Sequence, residues 1–196
     1  MVKVAVAAAL AALAIPLVIF AVAAGDVAQF RGSVPPARIE LPSFSLRDAE
    51  GRTVGDADLR GKVVLVTFLD TNCREACPIV AEQIRAALER LDEEERRDVA
   101  AVAISVHPGD DTPDAVRAFL RRHRVEGDLL YLIGTEAELR PVWEAFQVLP
   151  ALDTGSSDIH SAPVRVFDRD GVWVSTLHAG ADLTPENLAH DLRTAG

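Results

Sequence analysis

Two kinds of apolar run alternate along this chain, and the alternation predicts its layout. Val63-Val64-Leu65-Val66-Thr67-Phe68-Leu69 is continuous and β-branched, the mark of a strand buried on both faces. Val99 to Val106 repeats that character, and Leu129 to Ile133 is a shorter version of it. Between them lie amphipathic stretches. Ile79 to Leu91 places Ile84, Leu88 and Leu91 at helical spacing, and Glu136 to Phe146 reads as a further helix. Thr112-Pro113-Asp114 and Thr184-Pro185-Glu186 each open a helix, with a capping threonine and proline at the first helical position. Two hairpins complete the pattern. Phe44 to Leu46 and Thr53-Val54 flank Asp48-Ala49-Glu50-Gly51, while Pro163 to Phe167 and Val172 to Leu177 flank Asp168-Arg169-Asp170-Gly171. Strand and helix in alternation, closed by a hairpin and a last helix, give an α/β layout.

The N-terminus departs from both patterns. Val4 to Ala24 carries no charge over 21 residues and follows Lys3. As a helix it reaches about 30 Å, enough to span a bilayer. Residues 1–24 are therefore expected to be a membrane anchor or a signal segment, Ala21-Val22-Ala23 resembling a small-residue cleavage site. The length of the run favours the anchor. Either way Lys3 stays in the cytoplasm and the remainder lies beyond the cytoplasmic membrane, on its periplasmic or outer face, or secreted if the segment is cleaved. Residues 25–40 lack periodicity and carry Pro35-Pro36, so they read as a linker, leaving 41–196 as the domain. Of 196 residues, 49% are hydrophobic, as in a globular protein, and the net charge is −10. No basic stripe exists to neutralise phosphates, which argues against nucleic acid as a partner.

Chemistry concentrates at the end of the first buried strand. The chain has two cysteines, both in Thr71-Asn72-Cys73-Arg74-Glu75-Ala76-Cys77-Pro78. Pro78 is tolerated only in the first helical turn, so Cys77 belongs at or near a helix N-cap and Cys73 in the loop leading to it. Unpaired N–H groups and the positive end of the helix dipole favour a thiolate there. Two such sulfurs can hold a soft metal ion or cycle between dithiol and disulfide. An inert disulfide closing so short a loop would add little stability. Beyond the cytoplasm the pair drifts to disulfide unless a metal or reductant intervenes.

The chain resembles the Sco/SenC family of thioredoxin-like, membrane-tethered copper proteins. The family pattern of C-x-x-x-C-P and a distant Asp-x-His-Ser is met by Cys73-x-x-x-Cys77-Pro78 and Asp158-Ile159-His160-Ser161. Ile104 to Pro113, ending in Asp111-Thr112-Pro113, resembles the family's middle segment, and Leu41 to Thr67 its lead-in. The resemblance runs from residue 40 to the C-terminus. It implies a thioredoxin-like fold, a central mixed sheet flanked by helices with an N-terminal hairpin. It also implies copper, as Cu(I), Cu(II) or both, on Cys73, Cys77 and His160. Two thiolates and an imidazole suit Cu(I), and three ligands leave the metal open to transfer, whereas structural zinc usually has four. Three positions depart from the family. Arg74 and Glu75 stand where proline and aspartate are common, and His107 stands where relatives usually show aspartate. Ala162-Pro163 resembles the cis-proline of ordinary thioredoxins.

The implied function is a copper chaperone that delivers copper to, or assists assembly of, the dinuclear copper site of cytochrome c oxidase. The partner would be the copper-site subunit or another copper or thiol acceptor, with the N-terminal helix in the membrane. The alternative is an extracytoplasmic thiol-disulfide oxidoreductase, in which Cys73 attacks as the more exposed thiol and Cys77 resolves. A thiol peroxidase fits less well, because the Pro-x-x-x-Thr-x-x-Cys element is missing. His107 is a candidate accessory ligand or acid/base, and Asp158 is a candidate hydrogen-bond partner of His160 or, equally, a residue that shapes the loop turn. His123, His178 and His190 are expected at the surface, Phe68, Trp143 and Phe146 in the core. The charge run Asp92-Glu93-Glu94-Glu95-Arg96-Arg97 is expected to be a solvated face at a helix end.

Overall fold

The structure, a computed structural model, describes residues 29–196. The expected anchor or signal segment, residues 1–24, lies outside the described residues. Among the described residues, no helix is long and apolar enough to cross a membrane.

Seven strands form one sheet: β1 Ser45–Asp48, β2 Thr53–Gly55, β3 Val63–Leu69, β4 Val99–Ser105, β5 Leu129–Ile133, β6 Val164–Phe167 and β7 Trp173–Leu177. Their spatial order is β2-β1-β5-β4-β3-β6-β7. The continuous apolar strands β3, β4 and β5 are parallel and central, with Leu69 opposite Ser105 and Ile104 opposite Leu132. The two hairpins flank them antiparallel, β1 on β5 and β6 on β3. Gly51 and Gly171 supply the positive φ that each hairpin turn requires, at 83° and 77°.

The helices are α1 Ala76–Leu88, α2 Glu93–Arg97, α3 Pro113–His123, α4 Glu136–Ala145, α5 Ala151–Thr154 and α6 Pro185–Ala195. They cover both faces of the sheet, so β3 is buried along its whole length. Alternate residues of β3 feed two cores. Val63, Leu65 and Leu69 pack with Ile84 and Leu88 of α1, Phe119 of α3 and Leu188 of α6. Val64, Val66 and Phe68 pack on the other face with Leu139 and Trp143 of α4 and with Phe146. Phe68, Trp143 and Phe146 are thus core residues as expected, and Trp143 Nε1–H also donates to the Ser105 carbonyl at 2.8 Å.

Two expectations change here. The charge run at Asp92 is solvated as expected, with no residue of α2 buried, but it is a helix of its own, because Asp92 and Glu95 form a reciprocal capping box. The domain also reaches back into residues expected to be linker. Ser33 bridges Thr176 of β7, and Glu40 bridges Val172 just before that strand. The buried Asp191 carboxylate of α6 accepts from Arg31 N–H at 2.7 Å, Gly32 N–H at 3.0 Å and Ser175 Oγ–H at 2.5 Å. Gly32 lies so close to β7 that a Cβ there would come within 2.5 Å of the Thr176 carbonyl oxygen. Lack of periodicity signalled no regular element; it did not signal a free segment.

Candidate metal and thiol site

The C-terminal end of β3 delivers the chain into the loop Asp70–Glu75, and α1 carries it away. The helix begins at Ala76, so Cys77 and Pro78 occupy its second and third positions and Glu75 is the N-cap. The Glu75 side chain makes no capping bond. Cys73 Sγ does the equivalent work, accepting the Cys77 N–H at 3.3 Å. Cys77 Sγ in turn accepts the Asp70 N–H at 3.5 Å. Backbone donors from a strand end and a helix start therefore converge on the two sulfurs.

His160 arrives from the far side of the sequence. Because β6 runs antiparallel to β3 with Arg165 opposite Val66, residues preceding Val164 pass the end of β3 where the cysteines sit. His160 Nε2 lies 3.2 Å from Cys77 Sγ, and one ligand atom from each of Cys73, Cys77 and His160 falls within 4.8 Å of the others. His160 Nδ1 is 3.1 Å from the Ser161 carbonyl oxygen, which accepts a proton only from that nitrogen. The neutral ring then keeps its Nε2 lone pair for the sulfur side, the tautomer a metal ligand needs. Asp158, expected to steer His160, contacts the cysteine loop instead: its carboxylate accepts the Arg74 N–H at 2.7 Å. It fastens the histidine loop to the cysteine loop across 84 residues of sequence.

The two thiols are driven apart electrostatically. A hydrogen bond from the Cys77 thiol, opposed by burial but aided by His160 and by the Cys77 and Glu75 N–H groups, lowers Cys73 to about 5. Cys77 goes the other way, raised by its bond to Cys73 and by burial. Burial would lower His160, but the Cys73 thiolate and the Ser161 carbonyl outweigh it and its pKa rises. The sulfurs share one proton, held by Cys77. Cys73 is the less buried of the two, yet both are nearly closed off, at 4% and 0% exposure.

His160 and Pro163 line one open groove of about 630 Å³, whose opposite wall is Val34 to Pro36. The Ala162–Pro163 peptide bond is trans, correcting the cis-proline resemblance. The loop is held extended into β6 by reciprocal bonds, Ser161 N–H to the Leu149 carbonyl and Leu149 N–H to Ser161 Oγ. His107 sits on the other side of the cysteine loop, against Asp70 and Asp110. His178 is exposed at the groove, His190 bonds the Gln29 carbonyl, and His123 packs half-buried on Phe119. Of the sequence-predicted residues, Cys73, Cys77 and His160 come together. The Asp158 clasp was not legible, because no local pattern encodes a side chain bonding a backbone so distant.

Comparison with known proteins gives a consistent answer. The family model described as SCO1/SenC matches residues 34–195. The SCO1 protein homolog of Bacillus subtilis is 28% identical over 165 residues, covering 82% of this chain and 84% of that protein. The structure of Bradyrhizobium japonicum ScoI with copper bound is 31% identical, with a TM-score of 0.64, over 81% of this chain and 100% of that one. BsSco superposes with a TM-score of 0.68 at 22% identity, over 83% of this chain and 96% of that one; it has a disulfide switch and is a member of the Sco family of cytochrome c oxidase assembly proteins.

Proposed function

Since the chain belongs to the SCO1/SenC family, we propose that it binds copper and assists assembly of the dinuclear copper site of cytochrome c oxidase. One observation carries this reading: one sulfur on the loop after β3, a second on the first turn of α1 and an imidazole 83 residues beyond it meet, with Cys77 Sγ and His160 Nε2 3.2 Å apart. The donor set is soft and suits Cu(I). Cys73 is already a thiolate near neutrality, so it can take up the metal without first losing a proton. His160 presents Nε2, and the Asp158 clasp keeps the two loops together. Three ligands leave room for an incoming sulfur. Transfer then proceeds by exchange: each acceptor thiolate forms a bond to copper as Cys73 or Cys77 releases one, with no change in oxidation state. The copper-bound state of the Bradyrhizobium relative supports copper as the cargo. The domain is proposed to work beyond the cytoplasmic membrane, attached through residues 1–24.

The test is anaerobic Cu(I) titration of the reduced chain against a competing chelator. One equivalent should bind, and Cys73→Ala, Cys77→Ala and His160→Ala should each weaken it at least about tenfold. Affinity indifferent to His160→Ala would sink the three-ligand site.

The split between the two thiols favours a second reading. A thiolate at Cys73 beside a protonated Cys77 is the arrangement of a dithiol reductant. Cys73 would attack an acceptor disulfide, and Cys77 would then resolve the mixed disulfide, moving two electrons to the acceptor and leaving Cys73–Cys77 oxidised. Here His160→Ala should leave turnover largely intact, so the same variant separates the readings.

A further inference from the structure

Beside the thiol pair lies a cluster with different donors. β3 and β4 are parallel and in register, Leu69 opposite Ser105, so Asp70 emerges alongside the turn that follows β4. That turn folds tightly: Asp110 N–H and Asp111 N–H both donate to the His107 carbonyl, at 3.1 and 3.0 Å. The result places His107 Nδ1 3.1 Å from Asp70 Oδ2 and 3.0 Å from Asp110 Oδ2. Asp70 is wholly buried, whereas His107 and Asp110 are half-exposed and form a mouth.

We propose that Asp70, His107 and Asp110 constitute a second metal site, one that takes a borderline divalent cation of the Cu(II) or Zn(II) class. Three observations carry it. First, two carboxylate oxygens aim at one imidazole nitrogen, which has a single proton to give. Asp110 Oδ2 also accepts Asn72 Nδ2–H at 2.8 Å, and a metal ion in place of the imidazole proton would engage His107 Nδ1 and both carboxylate oxygens together. Second, the spacing fits. Ligand atoms bound at about 2.0–2.1 Å stand about 2.9–3.4 Å apart across an octahedral or tetrahedral edge, and the observed separations are 3.0 and 3.1 Å. Third, the charge is unbalanced. Among the described residues the ion pairs of Asp70 and Asp110 are with His107 alone, and the buried Asp111 carboxylate stands directly behind them, held by Thr71 N–H, Ser105 Oγ–H and Tyr131 Oη–H. A divalent ion removes that excess.

The donor set decides the class of metal. One imidazole and two carboxylates, without sulfur, favour Cu(II) and Zn(II) over Cu(I), and Cu(II) heads the affinity order of the divalent series. The two sites also adjoin. Asp70 offers its carboxylate to one and its backbone N–H, 3.5 Å from Cys77 Sγ, to the other. Hard and soft donor sets thus stand on opposite sides of a single residue.

The experiment uses the full chain carrying Cys73→Ser, Cys77→Ser and His160→Ala, which removes the thiol site whatever its function. Cu(II) is titrated in and followed by electron paramagnetic resonance. One equivalent should bind with the coupling of a single imidazole nitrogen and oxygen donors. Adding His107→Asn or, at the exposed rim, Asp110→Asn should weaken it at least about tenfold, with circular dichroism showing the fold intact. Zn(II) should compete for the same equivalent. Absence of saturable binding, or binding that neither substitution alters, overturns the site and leaves the copper reading at the cysteines untouched.

Discussion

Thr67 occupies the middle of β3, fully buried, and its hydroxyl has no hydrogen-bond partner among the described residues. An unpaired buried hydroxyl costs about 1–3 kcal/mol, and valine has the same shape. Thr67→Val should therefore raise the melting temperature, with a gain of about 1 kcal/mol in chemical denaturation; a loss would mean that the hydroxyl is engaged after all. Cys73 makes a prediction of a different kind. Its pKa lies at about 5 instead of 9.0, so lowering the pH from 8 to 6 leaves it a thiolate. Its alkylation by iodoacetamide in the reduced, metal-free protein should be level across that range. Below pH 5 the rate should fall about tenfold per unit, as the thiolate fraction does. Cys77, shifted upward, should stay unmodified throughout. A rate at Cys73 that climbs steadily from pH 6 to 9 would show an ordinary thiol.

Elements differed in how far they could be read. The strands β3, β4 and β5 announce themselves by continuous apolar runs, and α3 and α6 by threonine caps followed by proline, because these signals are local. The helix α2 was legible in principle: Asp92 and Glu95 have the spacing of a capping box, masked by the look of a plain charge run. Short α5 offers no such signal. Cys73 and Cys77 could be placed because Pro78 dates the helix start, whereas the meeting with His160 depends on the antiparallel pairing of β6 with β3, and the residues alone suggested it only through family resemblance. The Asp158 clasp depends on the same pairing and is the least local of all. Since its side chain is exposed, Asp158→Ala should cost the fold less than about 1 kcal/mol. It should nonetheless weaken Cu(I) binding about tenfold, because the two loops that supply ligands are no longer tied. Equal affinity in the variant would show that sheet pairing alone holds the loops.

Across the whole molecule, one sheet with a core on each face carries the candidate ligands at one end, on the first turn of α1 and on loops that leave β3, leave β4 or enter β6. Any ion bound there ties segments distant in sequence, so loading should stabilise the folded state by mass action, by about 2.7 kcal/mol at a hundredfold excess over the dissociation constant. A melting temperature unchanged by saturating Cu(I) would contradict binding between the two loops. The Asp191 carboxylate has a more practical consequence, concerning where the chain can be cut. Its three donors are Arg31, Gly32 and Ser175, and two of them precede the first strand. A shortened chain starting at Leu41, the boundary that patterning suggests, would leave the buried Asp191 carboxyl with the Ser175 hydroxyl and without its two backbone donors. Against a chain starting at Gly25 it should lose about 2–6 kcal/mol, each of the two lost donors costing about 1–3, and a match in stability would show that the early residues are dispensable. Anyone trimming this protein for the bench should keep Arg31 and Gly32, which act as a hasp closing the last helix onto the edge of the sheet.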